Sequence, residues 1–187
     1  SITRACVMQI LMILAMLFDA QFIVIQRYNR PLVIKLLEKK EKQESRCHKK
    51  SCRITIDEYA KIFSGDIVDL VWETDKSLIR ELVADMMTKN YKPKVIIDYE
   101  RIAYVEEITN VRITFDMKIS ASYELDNFLD GDYQSFYILP SGKNVLEVKF
   151  DEVLPSYIKN IVESYSYNQS SFSKYYYGRK IIDSYMS

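Results

Sequence analysis

Along four segments of this chain, charges of both signs fall in phase on one side of an extended backbone. In Val145-Leu-Glu-Val-Lys-Phe-Asp151, Leu146, Val148 and Phe150 share one face of a strand, while Glu147, Lys149 and Asp151 share the other. Residues 111–116 repeat the pattern, with Arg112, Thr114 and Asp116 opposite Val111, Ile113 and Phe115. Residues 95–104 align Tyr99 with Arg101, and residues 36–42 align Glu38, Lys40 and Lys42. If these faces converge, they line a polar cavity covered outside by the apolar faces and by helices. The cations Lys40, Arg101, Arg112 and Lys149, with Lys49, Lys50 and Lys174 added from loop and helix, suit phosphate oxygens. A guanidinium forks bidentately onto them, and an ammonium adds a compact charge. The carboxylates Glu38, Asp116 and Glu147 would repel such an anion unless a divalent ion, Mg²⁺ or Mn²⁺, sits between. The plainer reading is a set of solvated strand faces with cross-strand ion pairs, and periodicity alone favours it.

Composition narrows the classes. A length of 187 residues fits one domain with a substantial core. With 48% hydrophobic and 28% charged residues the chain is globular, not disordered. Lys+Arg and Asp+Glu balance at 26 each, which gives no ground for nucleic-acid binding, so an anion site has to come from local clustering. Four glycines, with neither a Walker A nor a G-x-G-x-x-G pattern, argue against a Gly-rich phosphate loop. Cys6, Cys47 and Cys52 form no regular framework and read as reduced and intracellular. Cys47-His48 with Cys52 is half a zinc pattern; His48 is the only histidine, so the reading there is structural.

The positioning elements can be placed in order. Residues 5–18 are nearly all apolar, interrupted by Gln9, and shorter than the ~20 residues a membrane span needs. A buried helix is the first reading, an anchor extending to Ile25 the second, and a cleaved signal the third. The last lacks a cleavage site, because Phe18 stands where a small residue is wanted. Residues 1–21 are therefore set apart from a domain at 22–187. There, residues 22–28 and 32–42 form a hairpin around Asn29-Arg-Pro31, followed by a charged loop over 41–50 and a short strand through Ile54. Thr55-Ile-Asp-Glu58 starts a helix that Gly65 stops. A second helix over 76–89 carries the stripe Leu78, Leu82, Val83 and Met86. Antiparallel strands follow at 94–106, 111–120 and 144–151, with an acidic loop over 125–140 whose Asp spacing is not that of an EF-hand. A helix after Pro155, a polar linker over 165–171 and a last helix with Lys174, Arg179 and Lys180 complete an α+β chain.

The ordered series Leu37-Glu-Lys-Lys40, Tyr99-Glu-Arg-Ile-Ala-Tyr104, Val111-Arg-Ile-Thr-Phe-Asp116, Val145-Leu-Glu-Val-Lys149 with Leu154-Pro155, and Phe172-Ser-Lys-Tyr175 resembles the VTC domain. That is the polyphosphate polymerase domain of the vacuolar transporter chaperone family, within the CYTH-like triphosphate tunnel metalloenzymes. The resemblance covers about residues 28–183. It implies an antiparallel β tunnel or barrel flanked by helices, with a basic interior that holds ATP and polyphosphate. By that match Arg101, Arg112, Lys149 and Lys174 are catalytic phosphate contacts, joined by Lys40 and one of Lys49 or Lys50. Glu147 becomes the principal ligand of Mn²⁺ or Mg²⁺, and Glu38 a weaker one. The implied reaction moves the γ-phosphoryl group of ATP onto a growing polyphosphate. The family pattern places an E-x-K-Y-type and an R-x-R-type strand ahead of Leu37-Glu38. Here that space holds the apolar run and Gln26-Arg-Tyr28, so the first tunnel strands are expected to be missing. A tunnel triphosphatase and a non-catalytic polyphosphate or nucleotide sensor are the alternatives. The expected location is cytoplasmic; membrane association through residues 5–25 and an oligomer stay open.

Overall fold

A computed structural model describes residues 2–15, 20–28, 34–43, 46–128, 131–165 and 171–187, with side chains at 36–41 and from 48 onward within those spans. Its centre is a pair of long antiparallel strands, β1 (Ile2–Ala15) and β5 (Lys92–Glu106), paired from Ile2↔Glu106 to Ala15↔Lys92 with a register shift between Ile13 and Leu14. On one side of β1 follow β2 (Ala20–Tyr28), β3 (Ile34–Gln43) and β4 (Arg46–Arg53). On the other side of β5 lies β6 (Val111–Ser122), whose far edge pairs with both β7 (Phe136–Tyr137) and β8 (Val145–Lys149). All eight strands form one antiparallel sheet. Among the described residues β4 pairs only with β3, and nothing joins it to the β7 and β8 edge. The β tunnel that the resemblance implies, expected to be incomplete, is not found closed among the described residues.

The amino-terminal run departs most from expectation. Residues 5–15 lie in β1, not in a helix, and residues 16–19 are outside the described residues. A continuous apolar run fits either a buried helix or a strand covered on both faces, and periodicity cannot separate the two. The long partner β5 supplies the pairing that decides it. Consequently β1 and β2 precede β3 in the sheet, and the expectation of missing first strands is corrected at the level of backbone. The charged loop over 41–50 is corrected as well: β3 and β4 continue as a ladder to Gln43↔Arg46, with residues 44–45 outside the described ones. The expected turn Asn29-Arg-Pro31 also lies outside them. No helix among the described residues is long and apolar enough to cross a membrane.

The helices obey their local signals. Helix α1 (Ile56–Ser64) opens on a full capping box, in which the Glu58 amide donates to Thr55 Oγ1 and the Thr55 amide to the Glu58 carboxylate. Gly65 closes it at φ 87°, a left-handed value that suits glycine. Helix α2 (Ile67–Glu73) was not anticipated, because only Ile67 and Leu70 are buried and Val68 and Trp72 face outward. Helix α3 (Ser77–Lys89) ends at left-handed Asn90. These three pack on one face of the sheet, where Leu37 and Ile96 meet Tyr59, Ile62, Leu82 and Phe128. Helix α4 (Ser156–Glu163) follows β8, and α5 (Lys174–Met186) covers the other face, where Ile182 meets Val95, Ile97, Ile119 and Ala121. The acidic loop resolves into a 3₁₀ turn, Leu125–Asn127, and the short β7.

One irregularity lets that second face change character along β6. Asp98 pairs with Ser120 and Glu100 with Met117, so Tyr99 is opposed by two residues, Lys118 and Ile119. This is a β-bulge, and Lys118 takes it up at φ 50°. Before the bulge Arg112, Thr114 and Asp116 occupy the face that α5 shares; after it Ile119 and Ala121 do. The same strand is charged at one end of the face and apolar at the other.

Candidate functional site

The register decides which charges share a face. Arg101 pairs with Asp116, Ala103 with Thr114 and Val105 with Arg112 across β5 and β6. Thr114 pairs with Glu147 and Arg112 with Lys149 across β6 and β8. Directly paired residues point to the same side of a sheet. Carrying the register over the backbones of β1 and β2 puts Glu38 and Lys40 on that side, with Lys49, Ser51 and Arg53 of β4. Lys50 does not join them. It pairs with Lys39, and both reach Glu81 of α3 on the opposite face, Lys50 at 3.2 Å. Of the two expected lysines, Lys49 is the one on the site face. Arg53 is a further cation there that the sequence reading did not single out.

At the centre stands Asp116, 1% exposed. Arg101 donates two hydrogen bonds to it, Nε to Oδ1 at 2.5 Å and an Nη to Oδ2 at 2.7 Å. Lys174, in the first turn of α5, reaches Oδ2 at 2.6 Å. Both cations also lie over the Tyr99 ring, Arg101 at 5.2 Å and Lys174 at 4.8 Å from its centroid. Burial pushes the Asp116 carboxyl up, yet the hydrogen bonds from Arg101 and Lys174 outweigh this and hold it below the ordinary carboxylate range. The same bonds raise the Arg101 guanidinium. Sequence reasoning grouped Asp116 with the metal-side carboxylates; in the structure it anchors two of the proposed phosphate contacts. The in-phase R-x-T-F-D spacing carried that signal.

Around this centre the remaining groups form a rim. Burial pushes the Tyr99 phenol up; Arg101 opposes this, and Asp116, Glu147 and Glu38 add to it. Carboxylates from β3, β6 and β8 thus bear on one ring. Glu38 is buried and paired with Lys49, and Glu147 is 42% exposed with Lys149 at 3.2 Å. Arg112 is exposed and lines, with Lys149, Asn110 and Asp151, a surface cavity of about 530 Å³. Arg112 and Lys149 are like charges directly opposite each other, as are Lys40 and Lys49. Like charges so placed repel each other, and Glu147 beside Lys149 and Glu38 beside Lys49 offset part of that repulsion.

No cluster of three or more His, Cys, Asp or Glu side chains fit to hold a metal occurs among the described residues. Magnesium-like ions in phosphate sites need less, one or two carboxylates with the rest supplied by phosphate oxygens and water. Glu147, half exposed beside Lys149 and Arg112, fits that limited role, with Glu38 deeper and already engaged by Lys49. A family model described as the VTC domain matches residues 20–182. A comparison with curated proteins finds no match.

Proposed function

The chain belongs to the VTC domain family, and from that premise we propose that it is an ATP-dependent polyphosphate polymerase whose substrate phosphates lie on the cation-rich face of the sheet. The observation that carries this reading is the convergence of Arg101 and Lys174 on Asp116, with Arg112 and Lys149 directly opposite each other on the next strands. A triphosphate laid along that face meets guanidinium and ammonium groups from β5, β6, β8 and α5. Lys40 and Lys49 extend the row on β3 and β4. A bound divalent ion, held by Glu147 with Glu38 as a secondary ligand, would neutralise charge on the β- and γ-phosphate oxygens.

In the proposed reaction an anionic oxygen of the acceptor phosphate bonds to the γ-phosphorus of ATP. The bond from that phosphorus to the bridging oxygen breaks, and ADP leaves with the electron pair. The nucleophile is already deprotonated, so no protein base is required. The residues of the chain contribute position and charge compensation: Arg112 and Lys149 fix the phosphate row, and Asp116 holds Arg101 and Lys174 in place. Incubating the protein with ATP and Mn²⁺ or Mg²⁺ is expected to give chains of polyphosphate and ADP. Free phosphate alone would identify a triphosphatase instead. Glu147→Gln is expected to abolish metal-dependent turnover and keep part of the anion affinity; unchanged turnover removes Glu147 from the metal role.

One observation favours a second reading, a non-catalytic polyphosphate sensor. The sheet is open among the described residues, and an open face surrounds a phosphate chain less completely than a tunnel. Tight polyphosphate binding with no turnover under any divalent ion would select it.

A further inference from the structure

One buried polar group on the site face takes part in none of its hydrogen bonds or ion pairs among the described residues. Thr114 is 3% exposed, and its Oγ1 has no hydrogen-bond partner among the described residues. It stands on β6 between Arg112 and Asp116, beside Ala103 of β5 and across from Glu147 of β8. Neither neighbour satisfies it. Ala103 has no polar side-chain atom, and the Glu147 carboxylate engages Lys149. A buried hydroxyl left unpaired costs free energy that a valine of the same shape would not incur. Valine is also at least as favourable in a strand. Packing therefore gives no reason for the hydroxyl, whereas an acceptor that arrives with a ligand does.

The chemistry of that acceptor follows from what surrounds it. The same face carries Arg101, Arg112 and Lys149, so the group drawn there is an anion, and an oxyanion oxygen accepts a hydroxyl hydrogen at short range. We propose that Thr114 is a phosphate-contacting residue, whose Oγ1–H donates to a triphosphate oxygen lying between Arg101 and the Arg112–Lys149 pair. This rests on the phosphate reading of the face and adds to it a neutral donor on the floor, which positions the chain without adding charge.

Titration calorimetry of the full chain with tripolyphosphate tests it, together with ligand-free melting. Thr114→Val is expected to bind about tenfold more weakly than wild type, the scale of one hydrogen bond to a charged group. It should melt at or above the wild-type temperature, since the unpaired hydroxyl is gone. Thr114→Ser keeps the donor and is expected to bind like wild type. Wild-type affinity in Thr114→Val overturns the proposal, as does an equal loss in the valine and serine variants, which would mean the methyl group matters. Should the valine variant not fold, the ratio of Thr114→Ser to Thr114→Ala affinity decides in the same way. If wild type itself binds no tripolyphosphate, the phosphate reading fails and Thr114 with it. A wild type that binds beside an unimpaired valine variant removes Thr114 alone.

Discussion

Asp116 fixes the arrangement of the site more than any of the cations does. A carboxylate 1% exposed is costly by itself, and Arg101 and Lys174 offset that cost with three hydrogen bonds or ion contacts. Removing the charge leaves two largely covered cations facing a neutral side chain. Asp116→Asn is therefore expected to lower stability on the order of 3 kcal/mol, read by chemical denaturation. The pH dependence has a definite sign. Folding holds this carboxyl below its ordinary value of ~3.9, so the stabilisation is complete above that value and is lost as pH falls through the depressed one. The wild type should thus lose stability on acidification below about pH 4 more steeply than Asp116→Asn; parallel curves would show that the ion pairs contribute nothing. Much of this was legible in sequence, where Arg101, Arg112, Asp116, Glu147 and Lys149 stand in phase on separate segments. The capture of Arg101 and Lys174 by Asp116 was not, because alternation reveals a shared face and not the partners chosen on it. Lys49 and Lys50 show the same limit: adjacent residues of a strand face opposite ways, and only the register chooses between them.

At the scale of elements, the bulge on β6 and the docking of α5 together place Lys174. Gly178 lies on the face of α5 that meets β5 and β6, and a Cβ there would run into Cδ1 of Ile97 and approach Cβ of Ala121 to 3.4 Å. Ile97 is fully buried, so its side chain has little room to yield. Gly178→Ala should gain about 0.5–1 kcal/mol in helix propensity and lose about 1–3 kcal/mol to overpacking. Overpacking wins, so the variant is expected to be less stable and to bind tripolyphosphate more weakly, because lifting α5 draws Lys174 away from Asp116. A variant as stable and as tight as wild type would show that α5 has slack against the sheet. The helices were largely readable, since caps such as Thr55 with Glu58 and the left-handed Gly65 are local signals. The exception is α2, whose apolar residues are split between the core and solvent. Strand β1 was misread because its signal is not local: an unbroken apolar run becomes a strand only when a partner as long as β5 is present. The bulge had no composition signal at all; Lys118 is an ordinary strand residue, and it adopts φ 50° where the register shifts.

Across the whole molecule a net charge of zero conceals a separation of charge between the two sides of the sheet. On the side of α3, Lys39 and Lys50 are matched by Glu41, Glu81 and Asp85. On the side of α5, among the described residues, Lys40, Lys49, Arg53, Arg101, Arg112, Lys149 and Lys174 outnumber Glu38, Asp116, Glu147 and Asp151. The antiparallel α+β class was readable from the sequence, and the strands ahead of β3 were not, since their pairing depends on segments far apart in the chain. This separation makes a prediction that bulk charge does not. A polyanion attracted to the molecule in general would be affected alike by loss of any lysine or arginine, whereas one bound on the α5 side should ignore Lys50. Tripolyphosphate at about 100 times its dissociation constant should stabilise the folded chain by about 2.7 kcal/mol, read as a rise in Tm. Arg101→Ala and Arg112→Ala should each diminish that rise while remaining folded, and Lys50→Ala should keep it in full. Added salt should shrink the rise, through screening of the exposed Arg112 and Lys149. If Lys50→Ala loses as much as Arg112→Ala, the anion is held by the surface at large and the two faces are not functionally distinct.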